Sequence, residues 1–205
     1  MIFDVAVLPF GDHRPRSLAG LPTHRPEDPA AIGPYRRLVV VGADADLAAV
    51  LTRLLRAERL DIEVAYVPRR RTAATRIYRL PAGRRAARRA LRGSARRVPL
   101  ARDETGSVIV GQANWLPADA ELLRGEAVVD DTVLFDGDVP GVQIEPTASQ
   151  PGLRARVLGR RRWITGRAVQ LGSTGVTVVR DGVPAARTAP RSTFYRNDEG
   201  WLMVR

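Results

Sequence analysis

The sequence contains no cysteine and no lysine, only two histidines, and few aromatic residues. Each shortage removes a class of chemistry. Without cysteine there is no disulfide and no thiolate metal site, a composition that fits the cytoplasm. Without lysine the phosphate loop GxxxxGK[ST] cannot occur, and HExxH and GxSxG are absent as well. His13 and His24 both fall in one proline-rich segment with no third ligand type beside them, so no metal site is expected. A histidine-dependent triad would need one of them to fold back onto the rest of the chain. No apolar stretch approaches the length of a membrane span. The apolar run IFDVAVLPF carries Asp4 and lacks a basic lead-in and a cleavage site, so it reads as a first strand and not a signal peptide.

What remains is a chain of 205 residues, 44% apolar, enough for one large domain or two small ones. Its net charge is +11, and all 33 basic residues are arginine. Arginine without lysine, beside abundant Ala, Gly, Val and Pro, is the signature of a GC-rich coding sequence, so placement says more than number. From Val64 to Arg102 there are thirteen arginines and no acid. A field of that sign draws anions such as nucleotides, acidic lipid headgroups or RNA. It equally describes a solvated basic face in an arginine-biased chain.

The pattern along the chain divides in two. Residues 11–34 are rich in Pro and Gly without a period and read as a surface or partly disordered loop. LVVVG (38–42) is apolar on both faces, as a central parallel strand is. Leu47, Val50, Leu51, Leu54 and Leu55 then form a helical stripe, and IEVAYVP (62–68) reads as a second buried strand. Strand, helix, strand at this spacing implies a right-handed parallel unit. A helix is expected from Gly83 to Gly93, with Arg85, Arg88, Arg89 and Arg92 on one face and Ala86, Ala87, Ala90 and Leu91 largely on the other. Beyond Val98 come short β-rich runs separated by Gly, Pro and Asp-Gly turns, with Asp136-Gly137 and Asp181-Gly182 as hairpin signals. The expected architecture is a small parallel-sheet α/β domain (1–97) followed by an antiparallel β-sandwich-like domain (98–205).

The turn GADAD, Gly42 to Asp46, carries the sharpest question. Helix N-termini bind phosphate through free N–H groups and the positive end of the helix dipole, and Gly42 suits that use. Asp44 and Asp46 would sit in the first turn, where aspartate caps the helix itself and repels an anion. A capped crossover helix without a ligand accounts for the same residues.

Order along the chain resembles the diacylglycerol kinase and lipid kinase family. That family has a Gly-Gly-Asp-Gly-Thr turn, a helix, a strand, and then a Pro-x-Gly-Thr-x-Asn-Asp loop before a further helix. Here Gly42 and Asp44 match the first turn, with Ala43 and Ala45 in place of glycines and Asp46 in place of threonine. PRRRTAATRIYRLP supplies Pro68 and, with one residue inserted, Thr72, but no Asn-Asp pair. RRALRGSARRVPLARDETGSVIVGQANW and LFDGDVPGVQIEPTASQPGLRARVL resemble the family's passage into its β domain and its Asp-Gly-Glu hairpin, with Asp138 in place of the glutamate. The likeness spans residues 38–158, that of a shortened member with degraded nucleotide-binding motifs.

The resemblance implies nucleotide contacts at Gly42, Asp44 and Thr72, and a general base toward a lipid hydroxyl at Asp136. Alanine Cβ atoms where the family has glycine obstruct close approach of a phosphate. Arg69, Arg70, Arg71 and Arg76 can instead clamp phosphate oxygens. The expected function is binding of an anionic ligand, a nucleotide or phospholipid headgroup, without efficient phosphoryl transfer. This protein would be cytoplasmic or peripheral at a membrane surface. One alternative is an active lipid kinase using ATP and Mg. Another is an RNA- or DNA-binding protein stacking bases on Tyr78, Trp163, Phe194 and Tyr195, each beside arginines.

Overall fold

The structure, a computed structural model, describes residues 4–11 and 13–205. Ile2 and Phe3, the start of the expected first strand, lie outside the described residues. Contacts divide the chain into two units, one running to Val98 and taking back Glu199–Arg205, the other Pro99–Asp198.

In the first unit β1 (Val5–Pro9), β2 (Arg37–Val41) and β3 (Glu63–Tyr66) are parallel, and helix α1 (Asp44–Arg56) crosses from β2 to β3. The short helix α2 (Ala73–Ile77), helix α3 (Gly83–Arg92) and strand β4 (Ala95–Val98) follow. All five residues of β2 are buried, because helices cover both faces of the sheet. Ala86, Ala87 and Ala90 of α3 pack with Val39, Val41, Ala65 and Val67. On the other face Leu38 lies beside Val50 and Leu54 of α1. The expected stripe of α1 is buried at Leu47, Val50, Leu51 and Leu54, with Ala48 joining it and Leu55 only half-buried. Leu91 is 39% exposed, on the solvent side of α3 and not with its alanines.

The segment 11–34 is more tightly held than its composition suggested. Leu18, within a 3-10 turn at Arg16–Leu18, is buried in the same core as Val7. Val7 exchanges backbone hydrogen bonds with Pro22 and His24, and Arg53 of α1 donates to the carbonyls of Pro26 and Asp28. Long-range bonds of this kind leave no periodic trace in sequence.

In the second unit the strands are β5 (Ala101–Asp103), β6 (Val108–Ile109), β7 (Ala113–Pro117), β8 (Leu123–Val129), β9 (Thr132–Val139), β10 (Val142–Pro146), β11 (Leu153–Val157), β12 (Ile164–Gly166), β13 (Ala168–Arg180), β14 (Val183–Pro184) and β15 (Ala189–Arg196). They form one antiparallel, sandwich-like sheet in the order β12-β11-β10-β7-β13-β15-β5-β6, with the β8–β9 hairpin also joined to β13. The long β13 pairs with β8 through Val169–Ser173 and with β7 through Val176–Arg180. Its register with β15 breaks between Gly172 and Val176, which lets one strand serve two neighbours. Trp115 and Phe194, both fully buried, anchor the core, and the indole N–H of Trp115 donates to Ser192 Oγ at 3.0 Å.

Two expectations change here. Asp181-Gly182 is a tight turn between β13 and β14, with φ of +47° and +87°. Asp136-Gly137 is not a turn: it lies inside β9, opposite Glu126 and Gly125 of β8. The hairpin closes at Asp130-Asp131. There Asp130 takes a φ of +49°, and its carboxylate accepts the Arg167 and Ala168 N–H groups. The second change is at the end of the chain. Strand β16 (Trp201–Val204) pairs parallel with β3 and antiparallel with β4, completing the first sheet and not the second. Trp201 is buried there, edge-on to Tyr78 with ring centroids 5.5 Å apart. No helix among the described residues is long and apolar enough to cross a membrane.

Arg37 cross-links the first unit. It is buried, pairs with Glu63 at 2.6 Å, and donates to the carbonyls of Ala90 (2.8 Å) and Gly93 (2.9 Å) at the end of α3. Arg37→Ala leaves the carboxylate and the helix carbonyls without their partner. It is expected to cost about 3 kcal/mol in urea unfolding, with Arg37→Lys recovering only part of that.

Candidate functional site

The carboxyl ends of β2 and β3 carry the two loops singled out in the sequence. After Val41 the chain turns through Gly42 and Ala43 into α1. Asp46 Oδ2 folds back to accept the Ala43 N–H at 2.7 Å. A Cβ at position 42 would lie 2.4 Å from that same oxygen. The glycine therefore makes room for the chain's own carboxylate, which occupies the helix terminus that a phosphate would approach. The fit for a nucleotide phosphate at this turn is poor, since an incoming anion meets Asp46 before it meets the free N–H groups.

Asp44 points elsewhere. Its Oδ1 accepts the Tyr66 hydroxyl at 2.8 Å and its Oδ2 accepts the Ala74 N–H at 3.1 Å, so one carboxylate ties α1 to β3 and to the start of α2. Burial pushes the Tyr66 phenol well above its ordinary value of 10.0, and the adjacent Asp44 charge and hydrogen bond push it further. Thr72 begins α2: its Oγ1 accepts the Thr75 N–H at 3.2 Å, while Thr75 Oγ1 accepts the Thr72 N–H at 2.8 Å. Thr72 is thus engaged as a helix cap.

The candidate residues fall into three places. Gly42, Arg69, Arg70 and Thr72 line one pocket of about 380 Å³, together with Asp46 and His13. Arg71 and Arg76 line a neighbouring recess of about 890 Å³ that shares Thr72. Asp136 is exposed on β9 of the second unit. The sequence reading did not anticipate His13 at the strand ends, or Arg79 in the larger recess. The helical spacing of Arg85, Arg88 and Arg89 was the visible signal for the rest of that recess.

The aromatic residues do not form a stacking surface. Tyr78 and Phe194 are core residues, 2% and 0% exposed. Trp163 is covered by the guanidinium groups of Arg154 and Arg156, 4.3 and 4.5 Å from its ring centroid, and Tyr195 by that of Arg102 at 4.7 Å. Arginine beside aromatic is here an intramolecular cation–π contact.

No protein-family model matches the chain, and no curated protein matches it in sequence. Solved structures do match in shape. A diacylglycerol kinase from Bacillus anthracis superposes with a TM-score of 0.75 at 12% identity, covering 98% of this chain and 96% of that one. An NAD kinase from Archaeoglobus fulgidus, solved in complex with ATP, superposes with a TM-score of 0.67 at 12% identity, covering 98% and 93%. The chain has the fold shared by these lipid and NAD kinases, as the order of its motifs implied.

Two outcomes follow from the turn. Gly42→Ala and Asp46→Ala are each expected to cost about 1 kcal/mol. The double substitution should cost less than their sum, because the clash and the cap are one contact; urea unfolding of the four proteins closes that cycle. For Tyr66 the folded-state value lies above the unfolded one. Its contribution is therefore complete below pH 10 and is lost as pH rises beyond it. Tyr66→Phe should show a shallower alkaline loss of stability than the wild type in thermal melts.

Proposed function

We propose that this protein is a kinase-fold binder of an anionic ligand, a nucleotide or phospholipid headgroup, that does not carry out efficient phosphoryl transfer. The observation that carries this reading is the Asp46 carboxylate over Gly42. Phosphoryl transfer depends on holding the phosphates still while charge moves across them, and this turn presents a negative group in their place. With Asp44 committed to Tyr66 and Ala74, neither aspartate of GADAD is free to serve a metal–phosphate complex without rebuilding the helix start.

Binding is a smaller demand than transfer. Arg69 and Arg70, both exposed, flank the same pocket as Gly42 and supply two guanidinium groups against the single carboxylate of Asp46. They would hold a phosphate at the mouth of the pocket, outside the turn. Asp136 has no part in this reading. It is an exposed residue of β9, which pairs only with β8, and charged side chains on such an edge strand discourage pairing with another chain.

Calorimetric titration with Mg-ATP and, separately, with glycerol 3-phosphate tests binding, and a diacylglycerol phosphorylation assay tests transfer. Saturable heat from at least one ligand, abolished by Arg69→Gln/Arg70→Gln, is expected, with no turnover in wild type or Asp136→Asn. Turnover that Asp136→Asn abolishes would establish the active kinase instead. Absence of heat with both ligands would remove the pocket as a binding site.

A further inference from the structure

The recess beside α2 and α3 adjoins the strand-end pocket at Thr72 and has a lining of its own. Six arginines line it: Arg71, Arg76, Arg79, Arg85, Arg88 and Arg89. Among the described residues no carboxylate does. The imbalance is local. The first unit holds 21 arginines and 10 acids, while the second holds 12 of each, so the whole net charge of +11 belongs to the first. Of the acids of the first unit, Asp44, Asp46 and Glu63 are engaged with Tyr66 and Ala74, with Ala43, and with Arg36 and Arg37.

Two further features run against stability and point the same way. Arg79 has a φ of +55°, at the position just after α2 where Leu80 N–H closes onto the Thr75 carbonyl at 2.9 Å. Glycine is the ordinary residue there, and an arginine takes on left-handed strain. Helix α3 has Arg84 and Arg85 directly after its first residue, no acid in its first turn and no side-chain cap, so its positive dipole end is matched with positive charge. An anion beside Arg85 offsets the unfavourable charge at the start of α3, and strain retained at Arg79 is of the kind that marks a binding residue.

We propose that this recess binds a compact organic polyphosphate, several phosphate groups on one small scaffold. Its volume of about 890 Å³ lies within the range of small-molecule sites. A concave wall of guanidinium groups surrounds clustered phosphates and meets few of those on a straight duplex. The floor at Leu80 and Pro81 offers apolar surface to the scaffold. The recess shares Thr72 with the strand-end pocket but none of its arginines, so its test turns on Arg85, Arg88 and Arg89.

Inositol hexakisphosphate is the probe, titrated calorimetrically at physiological salt. A single saturable site is expected, weakened at least about tenfold by Arg85→Gln/Arg88→Gln/Arg89→Gln. The charge-matched Arg160→Gln/Arg161→Gln/Arg162→Gln, on an exposed run of the second unit, should leave the affinity unchanged. Arg79→Gly should weaken binding while its melting temperature stays level or rises, which separates lost contact from lost fold. Equal affinity in the α3 triple variant would overturn the proposal, as would equal loss in the charge-matched variant. Tighter binding of a short DNA duplex than of the probe would also overturn it, in favour of a nucleic-acid surface.

Discussion

Two carboxylates in the first turn of α1 hold the carboxyl ends of β2 and β3 together with the start of α2. Asp46 returns to the Ala43 N–H and requires the glycine at 42. Asp44 reaches across to Tyr66 and Ala74, fixing β3 and the start of α2 relative to α1. The shape of the strand-end pocket, the suppressed acidity of Tyr66 and the placement of Thr72 all depend on those contacts. The turn itself is closed by the protein's own negative charge.

That substitution of aspartate for an external anion recurs in the second unit. Asp181 accepts the N–H groups of Val110, Gly111 and Gln112, a run of backbone donors that forms an anion-binding concavity. Asp103, fully buried, takes those of Thr105 and Ser107 and pairs with Arg180. Asp130 does the same for Arg167 and Ala168. Acids in this chain are largely internal acceptors. The surface of the first unit is left with arginines whose charge is not balanced within that unit.

Arginine itself plays two roles that composition cannot separate. Arg37, Arg154 and Arg180 are structural, each buried or half-buried with a specific carboxylate partner. Arg69 to Arg89 are exposed on loops and helix faces around concave surface. For Arg37 the partner that fixes its role sits 26 residues away in sequence, at Glu63.

The sequence by itself determined the local elements. The all-apolar run at β2, the leucine stripe of α1, the alternation of alanine and arginine in α3 and the Asp181-Gly182 turn are each written in periods of two or 3.6 residues or in a single dipeptide. Their order along the chain carried the kinase-like fold. The tertiary structure alone decided what no period encodes. It returned β16 to the first sheet, where Trp201, Met203 and Val204 fill the space between β3 and β4. It passed the hairpin turn from Asp136-Gly137 to Asp130-Asp131, because Asp130 found backbone donors at Arg167 and Ala168. It also settled that the space above Gly42 is filled by a side chain four residues away. Local pattern reports which face a residue prefers, whereas the atom that occupies a site is chosen by competition among groups that only the folded chain brings together.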